Sequence, residues 1–133
     1  MTFGIDTSVA VRLLIGEPVA QAEAARRLLD THQQVSVTIS DLVVGETYFV
    51  LRHHYAVPHR EAVAALRAFL ADRRVHATGA AHAMLLALPD REVAPGFMDR
   101  LIHASYARDG SSLVTFDRSA AKLTGARLLR SET

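Results

Sequence analysis

The stretch Thr2-Phe3-Gly4-Ile5-Asp6-Thr7-Ser8 decides the reading of this chain. A short apolar run passes straight into an acid and two hydroxyl residues, the composition of a buried strand feeding a helix N-cap. The helix is predicted over about Thr7 to Ile15, and Gly16-Glu17-Pro18 stops it. Val19, Ala22, Leu28 and Leu29 then predict a second helix that closes near Asp30, ahead of a short strand Val35-Ser36-Val37-Thr38. That completes one strand–helix–helix–strand unit.

Further along the chain, Ser40 and Asp41 are placed to cap a third helix reaching about Tyr55. Pro58 opens a fourth, with Ala62, Leu66, Phe69 and Leu70 on one face. Val75-His76-Ala77 reads as a third strand, followed by a helix from about Ala80 to Leu88, a break over Pro89 to Gly96, and a helix from Phe97 to about Arg108. Asp109-Gly110 turns the chain into a strand at Leu113 to Phe116. Asp117 then starts a short helix that stops at Gly125, before a last strand at Arg127 to Leu129. Short apolar strands alternating with helices predict an α/β architecture, a parallel sheet covered on both faces, in one domain spanning 1–133.

Composition narrows the chemistry. Of 133 residues, 50% are hydrophobic, enough to build a core without covalent staples. The absence of cysteine excludes a disulfide scaffold, a thiolate zinc site and a cysteine nucleophile, and it suits a reducing cytoplasm. No segment has the pattern of a secretory leader or reaches the ~18 apolar residues of a membrane span, so a cytoplasmic protein without membrane contact is expected. A net charge of +1 means that any polyanion must be held by a local patch rather than by the overall field. Arg52, Arg73 and Arg74 are candidates for such a patch, and Arg100 and Arg118 either meet phosphates or neutralise the acids they follow. The histidines His53, His54, His59, His76 and His82 show neither cysteine partners nor an HExxH pattern and are expected on the surface or in loops. His103, one turn beyond Asp99, is read as a helix-surface residue. A GxSxG elbow and a glycine-rich phosphate loop are both missing.

Four acids remain. Asp6 and Asp117 each follow a predicted strand, at the carboxyl end where ligands bind in open α/β sheets, and each is also in place to cap the helix that follows. Glu46 projects between Leu42, Val43, Phe49 and Val50, near the middle of that helix's apolar face. A carboxylate buried there needs an arginine, a metal ion, a solvent-filled cleft or a proton beside it. Asp99 lies in the first turn after Pro95-Gly96, where the helix dipole alone would favour an acid. If the four converge, counter-cations must offset their repulsion, and hard oxygen donors suit Mg²⁺ or Mn²⁺. Such a site is suited to phosphodiester hydrolysis, with a metal-activated water as nucleophile.

The segments Ile5-Asp6-Thr7-Ser8, Gly45-Glu46-Thr47, Phe97-Met98-Asp99-Arg100-Leu101-Ile102 and Thr115-Phe116-Asp117 resemble, in order and spacing, the four motifs of the PIN-domain family. The likeness is greatest to VapC-type toxins of bacterial toxin–antitoxin pairs and spans essentially the whole chain. It implies a PIN-like three-layer α/β/α domain with a short central parallel sheet. It also implies Asp6, Asp99 and Asp117 as metal ligands, Glu46 as ligand or water-orienting base, and a hydroxyl near the metal at Ser8 or Thr115. Toxins of this kind are Mg²⁺- or Mn²⁺-dependent endoribonucleases, usually homodimers, silenced by a cognate antitoxin that covers the cleft. Two other readings of the residues stand beside this one: a catalytically silent PIN-like module binding RNA or protein, and a phosphatase or DNA-acting nuclease built on similar carboxylates.

Overall fold

The computed structural model describes residues 2–30 and 36–131. Its elements run β1 (Thr2–Gly4), α1 (Thr7–Ile15), α2 (Val19–Asp30), β2 (Ser36–Ile39), α3 (Asp41–His53) and α4 (His59–Ala71) in the first half. The second half holds β3 (Val75–Ala77), α5 (Ala81–Ala87), α6 (Phe97–Arg108), β4 (Val114–Thr115), a 3-10 turn (Ala120–Lys122) and β5 (Arg127–Leu128). The predicted order of elements is present throughout. Val35, predicted to start the second strand, lies outside the described residues.

All strand pairings among the described residues are parallel, as the crossover helices require. β2 is the centre of a three-stranded sheet ordered β1-β2-β3, with Phe3 opposite Val37 and Val37 opposite Val75. β4 and β5 form a second, two-stranded sheet, with Val114 opposite Arg127 and Thr115 opposite Leu128. Helices flank these short sheets in the expected three-layer α/β/α manner. One expectation is corrected: β1 is exposed along its length rather than buried. Among the described residues its only strand partner is β2, so it is an edge, and Phe3 stays 39% exposed.

The core lies where β2 meets α3, α4 and α5. Val37, Ile39, Leu51, Val63, Leu66 and Leu85 are shielded almost completely. His59 belongs with them and not on the surface: its Nδ1 is 2.7 Å from the Tyr48 hydroxyl and its Nε2 is 3.3 Å from the Pro89 carbonyl oxygen. A ring nitrogen with a partner on each side can be buried without the penalty of an unmade bond, which composition cannot show. Tyr48 also stacks on Phe97, ring centroids 3.9 Å apart and planes within 2°, fixing the start of α6 against the middle of α3.

Loop ends use the local chemistry read from sequence. Gly16, Gly110 and Gly125 take left-handed φ values of 82°, 80° and 76°, a region that costs most residues a clash between Cβ and backbone. The Ser40 side chain caps α3 by accepting from the Val43 amide at 3.3 Å. Asp41 turns away from its own helix and caps α5, accepting from the Ala80 and Ala81 amides at 3.0 and 2.9 Å. That capping leaves no room at Gly79, where a Cβ would sit 2.3 Å from the Asp41 carboxylate. Among the described residues no helix is long and apolar enough to cross a membrane.

Candidate active site

Asp6 leaves the carboxyl end of β1 and is the N-cap of α1, its Oδ1 accepting from the Val9 amide at 3.3 Å. The Ser8 hydroxyl donates to the same oxygen at 2.5 Å. That hydroxyl, then the Val9 amide, hold the Asp6 carboxyl below its ordinary pKa despite its exposure, so it is an anion throughout the neutral range. The two sequence readings of Asp6 therefore coexist: a single carboxylate caps the helix and presents a fixed negative charge at a strand end.

Asp117 repeats the capping, though not the hydroxyl contact to the carboxylate, at the carboxyl end of β4. Its Oδ1 accepts from the Ala120 amide at 2.9 Å, and its own amide donates to the Thr115 hydroxyl at 2.9 Å. Of the hydroxyls that the family resemblance singled out, Ser8 donates to the Asp6 carboxylate, whereas Thr115 accepts from the backbone amide of Asp117. Both acids are exposed.

Glu46 corrects the sequence reading. Its helix face does carry Leu42 and Phe49, but that face looks outward: Leu42 is 69% and Phe49 is 58% exposed, and Glu46 is exposed between them. Val44, Gly45, Thr47, Tyr48 and Leu51 are the buried residues of α3 instead. The requirement for a buried counter-charge falls away, and Glu46 is a solvent-accessible carboxylate within an apolar surface. Asp99, half-buried in the first turn of α6, is near by in the fold because α3 packs between α1 and α6. Gly45 permits the close approach of α3 to α6; a Cβ there would lie 2.9 Å from Met98 Sδ. The residues next to Glu46 and Asp99 therefore touch. Neither acid has a hydrogen bond or ion pair with another described residue.

The four acids thus lie at the carboxyl ends of β1 and β4, strands of separate sheets, and on the two packed helices α3 and α6. Among the described residues, no three Asp, Glu or His side chains are gathered closely enough to hold one ion. The donor set itself, oxygen only and ionised at Asp6, fits a hard divalent cation and not a soft one.

The other cations divide by their partners. Arg52 binds Glu92 at 2.6 Å and the Val57 carbonyl oxygen at 3.1 Å. Arg74 pairs with Asp72 at 2.7 Å and also with Asp30. Arg100 donates to the Pro95 carbonyl oxygen at 2.7 Å. These three guanidinium groups are thus held by partners within the chain. His103 joins α6 to the loop before β5 through the Thr124 carbonyl oxygen at 2.6 Å. Arg118 and Arg130 have no hydrogen bond or ion pair with another described residue.

The family model described as the PIN domain matches residues 4–126 of the chain. The chain belongs to the PIN-domain family. Among solved structures it is similar to the crystal structure of VapBC2 from Rickettsia felis bound to a DNA fragment from its promoter. That match has 16% identity and a TM-score of 0.41, covering 97% of this chain and 98% of that one. It is also similar to VapC20 from Mycobacterium tuberculosis, a sarcin-ricin-loop-cleaving toxin, with 23% identity and a TM-score of 0.45, covering 94% of this chain and 96% of that one. No curated protein matches the chain.

Proposed function

We propose that this chain, as one PIN domain over residues 1–133, is a Mg²⁺- or Mn²⁺-dependent endoribonuclease. In this reading it is the toxin of a VapBC-type toxin–antitoxin pair, working in the cytoplasm as a homodimer and silenced by a cognate antitoxin. The observation that carries the reading is a helix-capping acid at the carboxyl end of each of two strands, Asp6 after β1 and Asp117 after β4, in a chain of this family. Asp6, Asp99 and Asp117 would hold the cation, with Glu46 as a further ligand or as the base that orients water. Bound Mg²⁺ or Mn²⁺ supplies an acidified water and positive charge beside the leaving oxygen. The part of the chain is to keep Asp6 ionised, to present four oxygen-bearing side chains to solvent, and to hold α3 and α6 in contact at Gly45. The dimer is supported by an apolar surface across α3 and α6, where Leu42, Ile102 and Tyr106 are 69%, 41% and 49% exposed around a cleft of about 220 Å³.

The deciding experiment is cleavage of single-stranded RNA by purified protein with and without Mn²⁺ or Mg²⁺, comparing wild type with Asp6→Asn and Asp99→Asn. The proposal expects metal-dependent cutting and a loss of about a hundredfold or more in each variant. Cutting in EDTA, or full activity in both variants, would remove it. A second reading, a catalytically silent module that binds RNA or protein, is favoured by the absence of a three-acid cluster among the described residues. RNA binding without turnover in the same assay would establish it.

A further inference from the structure

β4 and β5 run parallel in register, so their carboxyl ends open on the same side of the molecule. The Leu129 amide donates to the Thr115 carbonyl oxygen at 2.7 Å, which carries the pairing past the end of β5 and sets the next residues of the two strands next to each other. Phe116, Arg118, Leu128, Leu129, Arg130 and Ser131 line a cleft of about 540 Å³ at this end, within the range of pockets that take small molecules or single nucleotides. Asp117, one of the four candidate catalytic acids, lies in sequence between Phe116 and Arg118.

Two features of the cleft have no structural explanation within the chain. Phe116 is 72% exposed, the most exposed large hydrophobic side chain among the described residues, although a phenyl ring gains by leaving water. Arg118 and Arg130 have no acid or carbonyl partner among the described residues, whereas Arg52 and Arg74 are paired with Glu92 and Asp72. An exposed aromatic face with free guanidinium groups beside it is the combination that takes a single-stranded nucleic acid. The ring stacks a base of any identity, and the cations follow the phosphates.

We propose that the cleft at the carboxyl ends of β4 and β5 is a subsite for single-stranded RNA, in which Phe116 stacks one base and Arg118 and Arg130 hold the adjoining phosphates. This rests on the ribonuclease reading and adds to it the surface that positions the strand beside Asp117. It also locates the local patch that a net charge of +1 demands.

The test uses a fluorescein-labelled single-stranded RNA of roughly 12 nucleotides, long enough for one such groove. Binding is followed by anisotropy without divalent metal, and cleavage by steady-state kinetics with Mn²⁺. Phe116→Ala is expected to weaken binding roughly tenfold, with the loss in cleavage carried by KM, and Phe116→Trp to restore it while Phe116→Leu does not. Arg118→Ala and Arg130→Ala are each expected to lower the slope of log affinity against log salt by about 0.7, the value for one phosphate contact on a single strand. Because these side chains are exposed, thermal melts of the variants should overlay that of wild type. Unchanged binding in Phe116→Ala and in both arginine variants overturns the subsite and leaves the nuclease reading intact. Wild type that binds with the expected dependence but never cuts overturns the nuclease reading and keeps the subsite. Wild type that does not bind the RNA overturns the subsite.

Discussion

The Ser8 hydroxyl is the largest single cause of the lowered Asp6 pKa, so it sets how far into acid the carboxylate survives as a ligand. Ser8→Ala should let that pKa rise towards the ordinary carboxylate value. Between the two values Asp6 is ionised in wild type and protonated in the variant. The acid limb of metal-dependent activity should therefore move to higher pH in Ser8→Ala, and a carboxyl titration of Asp6 followed by NMR should move the same way. An unmoved titration would show that the hydrogen bond is irrelevant to the charge. Asp6 and Asp117 were legible from sequence as both caps and candidate ligands because strand, acid and hydroxyl are local in the chain, and the structure keeps both roles. The setting of Glu46 was not legible. A helical wheel reports which residues share a face but not whether that face meets the core or solvent, and the Leu42–Phe49 face meets solvent. His59 failed in the opposite direction, since its burial depends on Tyr48 and Pro89, 11 and 30 residues away.

Between elements, the junction of Asp41 with Gly79 links the start of α3 to the start of α5. Asp41→Ala should cost about 1–2 kcal/mol, the usual loss for removing an N-capping carboxylate. Gly79→Ala should cost about the same or more, because the added Cβ occupies the place of the carboxylate and expels it from the two amides. In the Asp41→Ala background, Gly79→Ala should then cost little, so that a double-mutant cycle by urea unfolding gives strongly non-additive values. Additive costs would mean that the two residues act separately. A second junction responds to acid. The Arg74 guanidinium, joining the ends of α4 and α2 to β3, brings the Asp72 carboxyl down to about 2 from an ordinary 3.8. A depressed folded-state pKa adds stability that is complete above the unfolded value and is lost as pH falls through the folded one. Stability should therefore decline between about pH 4 and pH 2, and the decline should be shallower in Asp72→Asn. Element order, helix ends and the parallel sense of the sheet were readable because capping residues, glycines and apolar periodicity are local signals. The exposure of β1 and the separation of β4–β5 as a sheet of their own were not, since neighbours in a sheet are chosen by packing among distant segments.

For the molecule as a whole, the exposed apolar surface on α3 and α6 should be an interface between two copies. Ile102→Asp, at an exposed position that carries none of the core, is expected to convert a dimer into a folded monomer by sedimentation or light scattering with its melting temperature little changed. A wild-type monomer at micromolar concentration would contradict this. Metal-dependent cleavage requires acids from four distant parts of the chain to serve one centre. The most direct measurement is calorimetric titration of Mn²⁺ into wild type and into Asp6→Asn, Asp99→Asn and Asp117→Asn. Each substitution is predicted to weaken Mn²⁺ binding by roughly tenfold or more, and the Asp6→Asn, Asp99→Asn double variant to show no binding. Mn²⁺ affinity that is unchanged in any two of the three single variants would show that these acids do not share an ion.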